Sequence, residues 1–458
     1  MQRWVRSTEQ RRTAASLRMA AGIAFCVGVA AGRPPVVHAQ AGQELTVEQS
    51  VRLGLERNAR LRSAISEAAA AKAAERSVRA GRLPAIRGQA SYTRLSSNIP
   101  GVEFMLPGID STFTFQAVQL DRYQAELSVS QPLLGQFRLR HEVRGAEHEA
   151  AAAALEAEQE QVDVAFEIRR AYWNLYRALA VRATLDAALA HVDEHLSEVR
   201  TRLAAGAALA RDVLAAQTRR SEVLLERVEG ENAVRLSQLE LNRLIGMPLE
   251  TEVRPAPDPD SVAAEAPPLP PAGGVEARPE VGALNEQVLG LEAQLRAVMA
   301  ARLPELDITG RYLYARPNPY FFQEQDRFRG TWELGLSARW DIWEGGRQSA
   351  RTGEARARLD AALARLADTR ERAAVDLARQ QLEVRRAAEA VSVAGQNVLE
   401  AEETFKVVRQ QFGEGTALSA DVLDAEQAYR RAQARRSGAL ADHAIARAAV
   451  LNALGRVW

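Results

Sequence analysis

The sequence predicts a mainly helical chain that also carries membrane-crossing β-strands, built as two internal structural repeats. Three observations predict it. One phrase occurs twice, as Val199-Arg-Thr-Arg-Leu-Ala-Ala-Gly206 running on to Asp212-Val213-Leu214, and as Val408-Arg-Gln-Gln-Phe-Gly-Glu-Gly415 running on to Asp421-Val422-Leu423. Gly206 and Gly415 are separated by the same 209 positions as Asp212 and Asp421, so no gap divides the copies. Each copy follows a long proline-free stretch, and each stretch follows two segments of alternating polarity.

The first 39 of the 458 residues read as a signal peptide outside the fold. Arg3, Arg6, Arg11, Arg12 and Arg18 precede an apolar run, Met19 to Ala31, and Val37-His38-Ala39 supplies small residues for cleavage after Ala39. The apolar run is too short to span a bilayer. Losing six Arg and one Glu turns a formal net charge of zero into −5, which gives no support to nucleic-acid binding. The one cysteine, Cys26, lies in this segment, so the exported chain has no disulfide. Ordinary cleavage is favoured over lipid attachment, because Phe25 precedes Cys26 where a small residue is wanted.

The first repeat covers residues 40–246. Thr46-Val-Glu-Gln49 is a capping box, and a helix runs from there to about Ala80, where Gly81 and Pro84 end it. A strand pair occupies about 83–131. Ile86, Gly88, Ala90 and Tyr92 alternate with Arg87, Gln89, Ser91 and Thr93, and Ala125, Leu127 and Val129 alternate with Gln124, Glu126, Ser128 and Ser130. In the second repeat, residues 279–458, the pair at about 303–343 is clearer. Leu306, Ile308, Gly310, Tyr312 and Tyr314 alternate with Asp307, Thr309 and Arg311, and Trp332, Leu334, Leu336, Ala338, Trp340 and Ile342 with Glu333, Ser337, Arg339 and Asp341.

Alternation alone fits any half-buried sheet. Here one face carries charges of both signs, the other carries aromatics near its ends, and the strands are about 9–11 residues long, as in membrane barrels. Leu95 to Leu120 and Arg316 to Gly330 then read as external loops. Four strands cannot close a barrel, for which about eight is the minimum, and an open edge is forbidden in lipid. Several chains must share one barrel, and three copies give twelve strands.

The stretches at about Leu139 to Ala205 and Arg351 to Gln411 are each on the order of 100 Å long as helices. That length calls for coiled-coil partners. Each helix turns at Gly206 or Gly415 and returns, to Gly246 or to about Gly455. Residues 247–278, rich in proline and acidic side chains, read as an extended linker between the repeats.

With these elements placed, the chain resembles the TolC-like outer-membrane efflux protein family, the outer membrane factors. The phrases that carry the resemblance are Leu45-Thr-Val-Glu-Gln-Ser-Val-Arg-Leu-Gly-Leu-Glu-Arg-Asn58, Leu83-Pro84, Leu303-Pro304, Glu344-Gly-Gly-Arg347, Phe412-Gly-Glu-Gly415, Asp421-Val-Leu-Asp-Ala425 and Leu451-Asn-Ala-Leu-Gly455. The resemblance implies a homotrimer with a 12-stranded β-barrel, four strands per chain, in outer-membrane lipid. The barrel would continue into a long α-helical coiled-coil periplasmic tunnel. It implies a passive exit duct of a tripartite efflux pump, working with a periplasmic adaptor and an inner-membrane transporter. The alternative is the outer-membrane component of type I protein secretion, and a periplasmic adaptor is a weaker third.

The family's periplasmic constriction lies at the second hairpin, and the residues point there independently. Asp212 and Asp421 begin return helices, where the helix dipole favours a carboxylate in any protein. Asp424 differs, because its counterpart is Ala215, so the turn itself does not demand it. Asp421 and Asp424 share a helix face. In a trimer they form a ring of carboxylates. The family's basic locking residue is replaced by Ala417, so the lock must be rewired, with Arg211 the candidate; Phe412 stands where tyrosine is common. The docking surface for the adaptor is placed on the grooves at Leu203–Leu214 and Phe412–Leu423, around Gly206, Gly415, Leu209, Leu418, Val213 and Val422.

His191-Val-Asp-Glu194-His195 matches a zinc-protease pattern, H-x-x-E-H. It lies deep in a long helix with no evident third ligand, and a coiled-coil face is the favoured reading. No catalytic, cofactor-binding or metal-binding residue is therefore assigned.

Overall fold

The computed structural model describes residues 43–98, 102–105, 112–115, 119–256, 274–321 and 325–458. The expected signal peptide with Cys26, and residues 257–273 of the expected linker, lie outside the described residues.

Helix α1 (Val47–Arg57) opens on the expected capping box: Thr46 Oγ1 accepts from the Gln49 amide at 3.2 Å, and Gln49 Oε1 from the Thr46 amide at 2.9 Å. The single helix expected to Ala80 is two. Asn58 turns extended (ψ 130°), ends α1, and caps α2 (Ala59–Ala80) by accepting from the amides of Arg60 and Leu61. Asparagine suits this break because its side-chain oxygen replaces lost intrahelical partners. Its amide also donates to Leu244 O, 3.0 Å away, which fixes the joint to a later helix.

Two long helices dominate: α3 (Gln136–Ala204, 69 residues) and α6 (Arg347–Glu414, 68 residues). Each runs beside two shorter helices. Alongside α3 lie α2 and the return helix α4 (Ala210–Ile245); alongside α6 lie α5 (Pro279–Ala300) and the return helix α7 (Ser419–Ala453). α3 also packs on α5 and α7, which joins the two halves. The same device makes both joints. Gly246 (φ 67°) and Gly455 (φ 67°), again 209 positions apart, end the return helices in the left-handed region. A Cβ at either would stand 2.7 Å from Arg57 Cβ or 2.5 Å from Pro279 Cδ, so only glycine permits the approach. The largest buried cluster sits at the first joint, where Val51, Val164, Ile168, Leu175, Leu241 and Ile245 pack together.

The strands form one four-stranded antiparallel sheet in the order β2 (Ala85–Arg94), β5 (Asp121–Pro132), β7 (Glu305–Arg316), β8 (Arg329–Arg339). Two further pairings add to the expected scheme. β1 (Gln43–Leu45) lies parallel to β6 (Val253–Pro255), so the start of the segment expected as an extended linker is strand-paired. Within the loop 95–120, β3 (Val102–Met105) pairs with β4 (Thr112–Phe115). β8 stops at Arg339, short of Trp340 and Ile342.

Register sets the two faces of the sheet. Ile86 opposes Val129, Gly88 opposes Leu127, and Tyr312 lies between Leu127 and Trp332, which makes one continuous apolar face. It is exposed: Trp332 by 78% and Leu334 by 72%. Aromatics mark both ends, with Tyr92, Tyr123, Tyr314 and Phe328 in ring contact at one end and Trp340 and Trp343 at the other. On the opposite face Arg311 joins Glu126 (2.8 Å) and Glu333 (3.2 Å) across three strands. Charges are thus paired on the wet side, and on the side that faces hydrocarbon they stand only at the loop end, beside the tyrosines, where Arg94 pairs with Asp121 and Arg316 with Asp326.

The chain has unfinished edges. β2 and β8 each have one neighbour among the described strands. In the helical layer, α4 exposes Leu214, Leu225, Val228 and Leu236, which fall within about 80° of one another around the helix. α6 exposes Val375, Leu382, Val393 and Val407, within about 40°.

Candidate functional site at the hairpin tips

Both turns have the same hydrogen bonds. Ala207 N donates to Arg202 O (2.8 Å), as Thr416 N does to Gln411 O (2.9 Å), with Gly206 (φ 70°) and Gly415 (φ 80°) between. This is the helix-ending pattern in which a glycine takes the left-handed conformation. Three residues on, Leu209 N donates to Asp212 Oδ2 (3.0 Å) and Leu418 N to Asp421 Oδ2 (2.8 Å). Both aspartates hold the start of a return helix, and this explains why both copies keep one. Asp424 makes no such bond to the turn and is exposed on the same side of α7 as Asp421.

The tips are joined by side chains that only tertiary packing brings together. Val199, Phe405, Phe412, Val422 and Ala425 form a buried cluster, with Val213 and Ala417 packed against it. The Arg202 guanidinium stands 4.3 Å from the centre of the Phe412 ring and donates to Gly413 O at 3.0 Å. Arg409 of α6 pairs with Glu194 of α3. His195 Nε2 meets Ser419 Oγ at 2.8 Å, and its ring lies 5.0 Å from that of Phe412. Farther from the tip, Arg219 donates to Gln427 Oε1 (2.8 Å), and Arg430 pairs with Glu226.

Several expectations are corrected by this geometry. Arg211, the expected lock, is 78% exposed and reaches only toward its neighbour Asp212, at 3.7 Å; it is the first residue after the start of α4 and its side chain leaves the hairpin. Arg202 lies within the first copy of the repeated phrase, where the second copy has Gln411, and nothing in the sequence beyond its nearness to the turn marked it; it makes the link instead. Phe412 is buried between the hairpins rather than exposed along them. Val422 is buried too, which takes it out of a docking surface, and Val213 is half-buried against the same cluster. Leu209, Leu214 and Leu418 remain more than half exposed at the tips.

The zinc-like motif is also accounted for. His191 lies against Phe405, with ring centres 5.4 Å apart, and Glu194 is ion-paired. Among the described residues, no group of three or more His, Cys, Asp or Glu is placed to hold a metal. No described helix is long and apolar enough to cross a membrane.

A sheet with an exposed apolar face and paired charges behind it, continuous with helices on the order of 100 Å long, defines a membrane duct with a periplasmic extension. The chain belongs to the outer membrane efflux protein family, whose model matches residues 51–247 and 275–456. It is an outer-membrane efflux channel protein. It is 24% identical over 343 residues to the outer membrane efflux protein BepC of Brucella suis, covering 72% of each chain. Its fold matches the CmeC outer membrane channel of Campylobacter jejuni with a TM-score of 0.77 at 17% identity, over 89% of this chain and 85% of that one. It matches the MtrE outer membrane channel of Neisseria gonorrhoeae, solved in an open state, with a TM-score of 0.75 at 19% identity, over 90% and 89%.

Proposed function

We propose that three copies of this chain close a twelve-stranded barrel and a coaxial helical tunnel, forming a passive duct that is narrowed at the hairpin tips. The carrying observation is the pair of unfinished edges. β2 and β8 run in opposite directions, so β8 of one chain can continue antiparallel into β2 of the next, and the stripes on α4 and α6 would meet in the same seam. Burying both edges satisfies the backbone in lipid and removes exposed apolar surface from the helical wall.

The tip side chains would hold the second hairpin closed, with Arg202, His195 and Phe412 as the joint and Asp424 facing the opening. The exposed leucines 209, 214 and 418 would meet an adaptor, and an inner-membrane transporter would supply the energy. The chain itself would carry out no bond-making chemistry. Small molecules are the proposed cargo.

The test is reconstitution of the purified chain in planar bilayers, with its mass measured in detergent. A trimer of low conductance that rises in Arg202→Ala supports the proposal. A monodisperse monomer, or a non-conducting trimer in both forms, removes it.

A further inference from the structure

His191 and His195 stand four apart on α3 and point at the second hairpin. His195 is buried, exposed by 6%, in the cluster that joins the tips. Its Nε2 meets Ser419, the first residue of α7, and so lies at the positive end of that helix dipole. The charged and titratable groups around it come from three helices. α3 contributes His191, Glu194, Glu198 and Arg202, α6 contributes Arg409, and α7 contributes Glu426, with Ser419 as the neutral partner. A neutral imidazole fits this place. An imidazolium would be held out of water beside two arginines and a helix N-terminus, with Glu198 and the Phe412 ring as partial compensation.

We propose that the two histidines make closure of the periplasmic end pH-sensitive: the hairpins stay latched while His191 and His195 are neutral, and protonation releases the second hairpin toward solvent. The proposal rests on the tip being the resting constriction. Swinging α6 and α7 away from α3 breaks the Ser419 contact and hydrates both rings.

Burial is the largest cause holding both imidazoles below the usual histidine range, with Arg409 adding to it for each and Arg202 for His195; Glu198 opposes for His195 and Glu194 for His191. The sign follows. A group whose pKa is depressed in the closed form stabilises that form fully above its ordinary value, near 6.5, and the contribution is lost as pH falls through the depressed value. Glu426 works the other way. Burial pushes its carboxyl up, so it favours closure below its ordinary value, and that contribution fades as pH rises through the raised one. Acid therefore opens the tip through the histidines against partial opposition from Glu426.

The experiment is bilayer conductance of the full chain from pH 7.5 to 5.5. One histidine buried only in the closed form changes the open-to-closed ratio by at most about tenfold per pH unit in each chain. Conductance of the wild type should rise several-fold on acidification. His191→Gln/His195→Gln, whose amide can still reach Ser419, should lose this rise, its conductance level or falling on acidification because Glu426 alone remains, and Glu426→Gln should be steeper than wild type. Arg202→Ala should conduct at both pH values, which shows that the channel is intact. A wild type without pH dependence beside a conducting Arg202→Ala overturns the latch and leaves the channel standing. A double variant that keeps the wild-type profile also overturns it. Silence of every form at every pH overturns both. If the double variant does not fold, exchange of the imidazole C2 hydrogen in the wild-type trimer, read by mass spectrometry, decides: His195 should titrate below 6.5, and titration at or above it rejects the latch.

Discussion

Leu382→Ser should separate the trimer into folded monomers. Leu382 lies on α6 in line with Val375, Val393 and Val407, and 64% of it is exposed in one chain. Fully burying a leucine contributes about 1.5–3 kcal/mol, so covering the exposed part contributes about 1–2 kcal/mol at each seam. A closed ring of three has three such seams, and the loss is about 3–6 kcal/mol per trimer. That corresponds to roughly a hundredfold to ten-thousandfold weaker association. Sedimentation velocity in detergent over a dilution series reads this directly, with far-UV circular dichroism to verify that the helices persist. Leu377→Ser is the contrast: Leu377 is 4% exposed inside the chain's own packing, so its loss should lower the folding stability of the monomer. Equal dissociation of Leu382→Ser and wild type would refute the seam.

Three other outcomes are expected. Arg202→Ala removes a charge-assisted hydrogen bond and a cation–π contact, together about 2 kcal/mol or more per chain, and should raise resting conductance at neutral pH by roughly tenfold or more. Asp424→Asn should lower cation selectivity, measured as reversal potential in a salt gradient, without changing thermal stability; Asp421→Ala should also cost about 1 kcal/mol of stability, because its carboxylate caps α7. Gly415→Ala should destabilise by about 1–2 kcal/mol through its positive φ, whereas Gly413→Ala, helical and with open space at the Cβ position, should stabilise by about 1 kcal/mol, both read by denaturant unfolding.

The sequence by itself determined whatever is local or repeated. Gly206 and Gly415 announce turns because few other residues tolerate that backbone, and the stretches between them and the strands, free of proline and rich in Ala, Glu, Arg and Leu, favour helix. The strands showed in their alternation, since a sheet that is wet on one side and apolar on the other writes its period into the chain. Asp212 and Asp421 were visible as helix starters for the same reason. Tertiary structure decided everything that depends on partners far apart in the chain. Nothing near Asn58 announces that it meets Leu244, and the pairing of β1 with β6 joins segments 210 positions apart, by the Gln43–Val253 register. The joint at the tips is of this kind too. Arg202, His195 and Ser419 are ordinary residues until α3, α6 and α7 come together, and Arg211, more conspicuous in the sequence, turns out to face water. A turn is set by backbone geometry within a few residues, whereas a latch exists only where packing has removed the solvent between two helices.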